Sequence, residues 1–454
     1  MSGKWLLAHI ASITLGIGLG LCSLGQAQMG GMGGGMPIVP GTAFGGATDP
    51  SSIQATDGLR IIPSVQVSER YDSNVFFASK SQLQGTAPGD FITTVAPQVR
   101  GLYTDHDKLV KVNASVGVVG SYYANNTGLN YVGANAGVGL DMSDLISLWR
   151  PGARWTVSDT YFYSPQPPAF LLGNQSGEQI NPLLTGFQAA RTNTSANSVN
   201  TQLELPLYRT VKLTGSYTHS FIRYGATQVP QASTSQVSQA ATLISQDTQG
   251  YTAGLLVQAS VQDSITVDLM SSDFDQGRLG DFSTRGGALG WAHRFSSAVS
   301  FNATGGVQEI SGQSNGVRFP STIAPFGRLA ILWKDPTTSI ALLYQSSIAP
   351  SLAFRSAPML SHSVSFSLTQ NTPIRDLAGL LGVNYGVANQ FGSSSGGALS
   401  WTTVGGMGGL VYRVTQKMFL TLAYSYQNVD NVFGGTHFAY DKHVVQLNLT
   451  QAFY

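Results

Sequence analysis

Beyond residue 27 this sequence has no cysteine, few charged residues and no long hydrophobic run. The single cysteine is Cys22, so a disulfide framework is excluded for the rest of the chain. Charged residues are 10% of the chain, far below the roughly 25% of ordinary soluble domains. Hydrophobic and aromatic fractions of 42% and 10% are too high for a disordered chain. The composition therefore excludes both an ordinary water-exposed surface and a disordered polymer.

No stretch after residue 27 approaches the ~20 uninterrupted apolar residues that a membrane-spanning helix requires. The alternative for a membrane protein is a closed β-barrel, because lipid cannot satisfy the polar groups of an open sheet edge. The formal net charge is +1, which gives no indication of nucleic-acid binding. Because the sequence has no membrane-spanning helix after residue 27, the class of membrane protein that it predicts is a transmembrane β-barrel.

The N-terminus has the layout of a secretory signal peptide. Lys4 precedes the apolar run Trp5–Leu24, and the small-residue site 25–27 follows. We expect residues 1–27 to be removed and the mature chain to begin near Gln28. A membrane anchor is the alternative, and lipidation of Cys22 is disfavoured because Leu21 is large.

Residues 28–58 are predicted to form a flexible periplasmic leader, because they are rich in Gly and Met and show no period. A methionine cluster can bind Cu(I), yet no His or Cys accompanies this one. We expect no metal and no cofactor in the protein.

From about residue 59 the apolar residues recur with a period of two. Between 360 and 368, for example, bulky apolar residues take most of the even positions and serines take the odd positions Ser361, Ser363, Ser365 and Ser367. A strand places such residues on opposite faces, whereas a helix would scatter them. Residues 59–454 are therefore predicted to be an all-β antiparallel barrel.

Short and long links alternate between the predicted strands. Tight links are predicted near residues 105–107, 207–209, 262–264, 294–297, 335–337 and 415–417, and longer ones across 72–90, 164–196, 225–248, 311–324, 347–358, 391–397 and 430–441. In outer-membrane barrels the tight turns lie at the periplasmic rim. The links predict an up-and-down barrel of about 18 strands, within roughly 16 to 20, and both termini in the periplasm. The segment 142–149 disturbs this alternation, and a short helical turn capped by Ser143 or Asp144 would fit there.

The chain ends on an alternating strand followed by Phe453 and Tyr454. This end resembles the C-terminal signal that the barrel-insertion machinery of Gram-negative bacteria recognises. The expected surroundings of the protein are the lipid and lipopolysaccharide of the outer membrane, and its oligomeric state is left open.

Two segments resemble the start of the β-barrel porin 2 family. They are residues 65–76 (VQVSERYDSNVF), with a Tyr-Asp-x-Asn-Val-Phe stretch, and residues 90–99 (DFITTVAPQV). The resemblance covers about the first two strands. It implies an outer-membrane barrel, and it implies for some members an association with exopolysaccharide export.

The alternation predicts a polar lumen with sparse, mixed charges. Its lining is expected to include the four serines of 361–367 and the charged residues Arg70, Arg100, Glu204, Lys212, Asp268 and Arg328. Small-ion pores usually concentrate charge in rings. The predicted lining instead suits neutral hydrogen-bonding solutes such as sugars.

Acidic and amide residues near the predicted long loops have two interpretations. They could be solvated loop residues that bond nearby backbone, with Tyr71 in an interfacial aromatic row. They could also contact a divalent cation or lipid at the outer rim; the candidates are Asp72, Asn74, Asp273, Asp275 and Asp281.

Catalysis is not predicted. His362 neighbours Ser361 and Ser363, but adjacent strand residues point to opposite faces and cannot form a nucleophile and base pair. The leading hypothesis is a channel for polar solutes, with saccharides or exopolysaccharide as the solute class. The alternative is a barrel that anchors or sheathes a periplasmic or export partner, such as a cytochrome.

Overall fold

The computed structural model describes residues 58–76, 88–164, 191–228, 245–277, 280–314, 317–350, 358–390, 400–433 and 436–453. The predicted signal peptide, the leader up to residue 57 and Tyr454 lie outside these ranges. The described residues form 18 strands: β1 Gly58–Asp72, β2 Asp90–Thr104, β3 Lys111–Tyr123, β4 Tyr131–Asp141, β5 Arg154–Ser164, β6 Arg191–Tyr208, β7 Val211–Gln228, β8 Gln246–Gln258, β9 Asp263–Asp275, β10 Gly280–Arg294, β11 Val299–Ser314, β12 Val317–Lys334, β13 Thr338–Pro350, β14 Pro358–Asn371, β15 Leu377–Gln390, β16 Ser400–Thr415, β17 Met418–Phe433 and β18 Thr436–Ala452.

Every strand pairs antiparallel with its neighbours along the chain, and β18 pairs with β1. The closing ladder runs from Ser64 opposite Ala452 to Asp72 opposite Val444. Closure leaves no unpaired edge, as lipid requires. The prediction of an all-β antiparallel barrel of about 18 strands is therefore confirmed.

The exterior carries an apolar belt between two rows of aromatic side chains. On β1, Leu59, Ile61 and Val67 are exposed, whereas Gln66 and Ser68 on either side of Val67 are buried. The same period of two holds around the wall. Exposed tyrosines lie toward one rim at positions 71, 122, 344, 385 and 424, and exposed aromatics lie toward the other at Tyr103, Trp291, Trp333 and Tyr412. Such girdles mark the two membrane interfaces of outer-membrane barrels.

The two rims differ in their links. One rim, here called the short-link rim, holds both barrel ends, Gly58 and Ala452, and the links 105–110, 142–153, 209–210, 259–262, 295–298, 335–337, 372–376 and 416–417. The opposite, long-link rim holds most of the longer links. Two expectations there were wrong, because β11 and β12 meet through residues 315–316 and β17 and β18 through 434–435. The links 124–130 and 372–376 were not predicted, whereas 276–279 lies within the outer loop expected across Asp273, Asp275 and Asp281.

Local hydrogen bonds hold the tight turns. In the link 335–337, the amides of Thr337 and Thr338 donate to Asp335 Oδ1 at 2.8 and 2.7 Å. These bonds, that of Thr337 first, hold the pKa of Asp335 below its usual value. The turn's contribution to stability is thus present above the ordinary aspartate pKa and is lost as pH falls through the lowered one.

The predicted helical turn in the link 142–153 is confirmed as α1, Ser143–Ser147. The predicted caps were wrong: neither Ser143 nor Asp144 caps it, and the Ser143 amide donates to Asp141 Oδ1 at 2.9 Å. Asp144 instead pairs with Lys111 at 2.7 Å. Within the described ranges, no helix has the length and apolar character needed to cross a bilayer.

Candidate functional site

The inner wall of the barrel is the surface where polar side chains collect. On β14 the serines of 361–367 share the interior face, opposite Ser347, Gln345, Leu343 and Ala341 of β13. Val364 lies between them on the exterior and is 40% exposed. Hydroxyl and amide groups therefore line this sector of the wall together with Leu343 and Ala341, and apolar groups cover its exterior.

The six charged residues that the sequence singled out all occupy interior positions of the alternation. Lys212 Nζ lies 3.0 Å from Glu204 Oε2, and Arg100 Nε donates to Asn113 Oδ1 at 3.0 Å. Asp268 is 5% exposed, on the same face of β9 as Ser264. Arg328 stands opposite Gln345, which is buried. These charges are spread around the wall rather than brought to one point.

A buried charge cluster joins the first and last strands near the long-link rim. Lys442 Nζ lies 2.9 Å from Asp72 Oδ2, and both side chains are about 95% buried. Arg70, buried on the same face, interacts electrostatically with Asp72 and Tyr123. On the same interior face of β1, four residues before Arg70, Gln66 donates a hydrogen bond to Asn448 Oδ1 at 3.2 Å. This closure cluster, Arg70, Asp72, Tyr123 and Lys442, links the two ends of the barrel wall.

The Tyr-Asp-x-Asn-Val-Phe stretch serves this closure. The amide of Asn74 donates to Asp72 Oδ1 at 3.0 Å, and the amide of Ser73 donates to the carbonyl of His443. Val75 is buried against Ile92 and Tyr123. The chain after β1 therefore folds against the interior of the barrel.

Two of the predicted rim contacts are placed differently from expectation. Asp72 and Asn74 are 2% and 5% exposed, and the carboxylate of Asp72 faces Lys442 inside the wall. Neither presents oxygen atoms to a cation or lipid on the outside. Tyr71, by contrast, lies on the exterior, as its interfacial interpretation requires.

The other three rim candidates lie together on the exterior. Asp275 is opposite Asp281 on β10 and opposite Asp247 on β8, and Asp273 lies two positions away. Asp247 pairs with Arg223 at 2.5 Å. In the described part of the chain, no group of three or more His, Cys, Asp or Glu residues is arranged to hold a metal. A role for Asp273, Asp275 and Asp281 in lipid contact stays a prediction.

Asp90 is an anchoring residue that the sequence analysis did not single out. Its carboxylate, 1% exposed, accepts hydrogen bonds from the backbone amides and side chains of Asn125 and Asn126 at 2.7 to 3.2 Å. It thereby fixes the link 124–130 to the start of β2. The Asp-Phe-Ile-Thr stretch signalled its presence, but its partners lie 35 and 36 residues away.

Replacing Asp90 with alanine should release this link. Asn125 and Asn126 would lose their hydrogen bonds to a buried carboxylate, and hydrogen bonds to a charged group are worth about 1.5–3 kcal/mol, so we expect faster proteolysis within 124–130 of the folded barrel. Limited proteolysis in detergent would measure it, with Asp335→Ala as the control for a solvated turn. Equal cleavage rates in wild type and Asp90→Ala would contradict the anchoring role.

The histidine and serine neighbours His362 and Ser361 lie on opposite sides of the barrel wall. His362 Nδ1 lies 3.0 Å from Tyr344 Oη on the exterior, and His443 Nδ1 lies 2.9 Å from Tyr424 Oη in the same way. Ser361 hydrogen-bonds Ser347 on the interior. The two histidines belong to the aromatic row of the exterior, not to a catalytic pair with these serines.

Sequence reasoning also missed a set of interior cations at the short-link rim. Strand alternation places on the interior, next to the links, Arg60, Lys111, Arg154, Arg294, Lys334 and Arg413, together with Lys212. Each lies at or near the strand end beside a short link. The signal that could have found them is their common place, an interior position beside a short link.

A closed antiparallel barrel with a polar interior and an apolar, aromatic-bordered exterior defines the class of protein. It is a transmembrane β-barrel of the kind found in the outer membrane of Gram-negative bacteria. Sixteen- to eighteen-stranded barrels of this class leave an aqueous interior.

Comparison with known proteins adds no family. No family model and no curated protein matches the chain, so the resemblance to the β-barrel porin 2 family stays a prediction. Similar solved structures include Acinetobacter baumannii OccAB4 (TM-score 0.43, 12% identity, 89% of this chain and 100% of that chain) and Pseudomonas aeruginosa OpdO (0.45, 10%, 87% and 98%). The A. baumannii siderophore receptor PiuA is also similar (0.41, 8%, 86% and 82%). At these values the likeness carries no argument about function, and the class rests on the strand pairing itself.

Proposed function

We propose that the protein is an outer-membrane channel through which polar solutes pass passively. The observation that carries this proposal is the hydroxyl-, amide- and glycine-rich inner wall of an 18-stranded barrel. A barrel of this size has more interior volume than its own side chains fill. We further propose that the short-link rim, with both barrel ends, faces the periplasm, as tight turns do in this class.

Saccharides are the proposed solute class. Sugars are bound by side chains that donate and accept hydrogen bonds, and the inner wall offers such groups around the barrel. On β14 and β15, Ser363, Ser365 and Asn384 lie among the glycines 382 and 386. Release of an exopolysaccharide chain is the form of transport that the resemblance of residues 65–76 and 90–99 favours.

Reconstitution into planar bilayers tests the channel. We expect stable conductance from the wild type, and conductance lowered to about half or less when Ser363 and Ser365 both become tryptophan, because bulk on the inner wall narrows the aqueous path. Val364→Trp is the matched control, since it adds the same bulk to the exterior of the same strand. Liposome swelling with neutral sugars would measure solute passage directly.

Two outcomes would count against the channel. The first is a folded wild-type barrel, identified by heat-modifiable migration, that gives no conductance. The second is a loss of conductance that is the same in the control as in the double variant, which would show that bulk anywhere on β14 disturbs the wall.

A second candidate function is a scaffold for a periplasmic or export partner. The feature that favours it is the link 142–153, where Leu148 and Trp149 are 65% and 74% exposed, and nearby Tyr208 is 77% exposed. Recovery of a stoichiometric partner from cells, lost when Leu148 and Trp149 become serine or when residues 29–56 are deleted, would support it. Conductance without any such partner would favour the channel alone.

A further inference from the structure

Cationic side chains encircle the interior where the strands reach the short-link rim. They come from strands around the whole barrel, from Arg60 on β1 and Lys111 on β3 to Lys334 on β12 and Arg413 on β16. At the same level, the interior carboxylates on the described strands are Asp141 and Glu204. The short-link mouth is therefore a cationic ring, whereas charges on the wall above it are sparse and of both signs.

Only part of this ring is neutralised by ion pairs. Lys111 pairs with Asp144 at 2.7 Å, Lys212 pairs with Glu204 at 3.0 Å, and Arg413 pairs with Asp376. In the described part of the chain, Arg154, Arg294 and Lys334 form no ion pair, and all three are exposed. Uncompensated positive charge thus faces the aqueous mouth.

The densest part of the ring surrounds a cavity of about 420 Å³ between α1, the start of β5 and the turn from β6 to β7. Arg154, Arg209 and Lys212 line it, and Asp144 of its lining is already engaged by Lys111. Arg150 donates to the carbonyls of Pro206 and Leu207 at 2.7 and 3.0 Å. These bonds hold the link against β6, so the cavity is preformed.

We propose that the short-link mouth selects anionic solutes, with carboxylate-bearing saccharides as the solute class. This proposal rests on the channel function proposed above and deepens it. A ring of Lys and Arg raises the local concentration of anions and repels cations. Guanidinium groups also bind carboxylates through paired hydrogen bonds, and Arg154 and Arg209 supply two of them to one cavity.

Ion selectivity in planar bilayers under a potassium chloride gradient tests the ring. We expect the wild-type chloride-to-potassium permeability ratio to exceed one. In the triple variant Arg154→Gln/Arg294→Gln/Lys334→Gln, this permeability ratio should fall by a factor of about two to five. The fall should be largest at low ionic strength, where screening of the charges is weakest. Arg375→Gln is the matched control, because Arg375 lies at the same rim but is 96% exposed on a link. Arg294→Gln alone should give a smaller fall in the same direction.

The outcomes separate this inference from the channel function. Conductance without anion preference, or a triple variant that keeps the wild-type ratio, overturns the inference and leaves the channel intact. An absence of conductance from the folded barrel overturns both. Heat-modifiable migration of each variant verifies that the barrel is folded.

Glucuronate and glucose test the solute class. Added to both sides at equal concentration, glucuronate should reduce the chloride current of the wild type more than glucose does, and the two should act alike on the triple variant. Equal reduction of the wild-type current by both sugars would overturn the assignment to acidic saccharides.

Discussion

Replacing Asp72 with asparagine should lower the free energy of unfolding by about 3–5 kcal/mol, because it leaves buried cations without their carboxylate. Lys442 Nζ lies 2.9 Å from this carboxylate, and the two side chains are only 5% and 3% exposed. Arg70 is buried beside them and shares the same negative charge. The variant would hold two cations close together on the ladder that closes the barrel. Urea unfolding in lipid vesicles, followed by tryptophan fluorescence, would measure the change.

The charge arrangement predicts an order among the variants. Lys442→Met should cost less than Asp72→Asn, because Asp72 would keep Arg70 as a counter-charge. Asp144→Asn breaks the exposed pair with Lys111, whose side chains are 45% and 53% exposed, and should cost less than about 1 kcal/mol. An Asp72→Asn barrel as stable as Asp144→Asn would contradict the role of the closure cluster.

The strand pattern was readable wherever the exterior of the barrel is apolar. On β14, serines on one face and Val364, Phe366 and Leu368 on the other gave the period of two directly. The same contrast located most of the tight turns. This is why the barrel and the approximate number of strands could be predicted.

The pattern failed where strands continue beyond the apolar belt. On β11, the exterior positions Glu309, Ser311 and Gln313 are polar although the ladder with β10 runs on to Ser314. Polar residues on both faces look like a loop in the sequence. The predicted long link 311–324 was an error of this kind. In 430–441 the exterior positions include Asp430, His437 and Asp441, which also indicated a loop. Strands β11, β12, β17 and β18 extend through these two segments.

The sequence predicted on which face of the wall a charged residue lies, but it did not predict the ion-pair partner of that residue. Asp72 could be placed at the end of the first strand, but its partner Lys442 comes from the last strand and meets it only when the barrel closes. The cationic ring has the same cause, since Arg154 and Arg294 are 140 positions apart in the chain and share only a level in the wall. Local periodicity predicts which face of the wall a residue occupies, but it does not predict the position of that residue along the barrel axis.

Replacing Gly306 with valine should disrupt the pairing of β10 with β11 and lower the free energy of unfolding by about 3 kcal/mol or more. A Cβ atom at Gly306 would meet the carbonyl oxygen of Gly287, the ring of Phe326 at 2.7 Å and the Cα of Ala288 at 2.9 Å. Two of these three atoms are backbone atoms of the neighbouring strand and cannot move away without opening the ladder. Glycine at this interior position lets the strands approach and lets the Phe326 ring cover the wall.

Gly305 provides the matched control one residue away. A Cβ atom there would meet nothing within 4 Å, and its exterior position suits an apolar side chain in the belt. Gly305→Val should therefore fold to the wild-type yield, whereas Gly306→Val should give little heat-modifiable protein and unfold at a lower urea concentration. Because both variants add the same β-branched residue to the same strand, a difference in strand propensity cannot account for a difference between them. Equal stability of the two would show that β10 and β11 lie farther apart than this packing requires, and that the wall at Gly306 has room for a side chain.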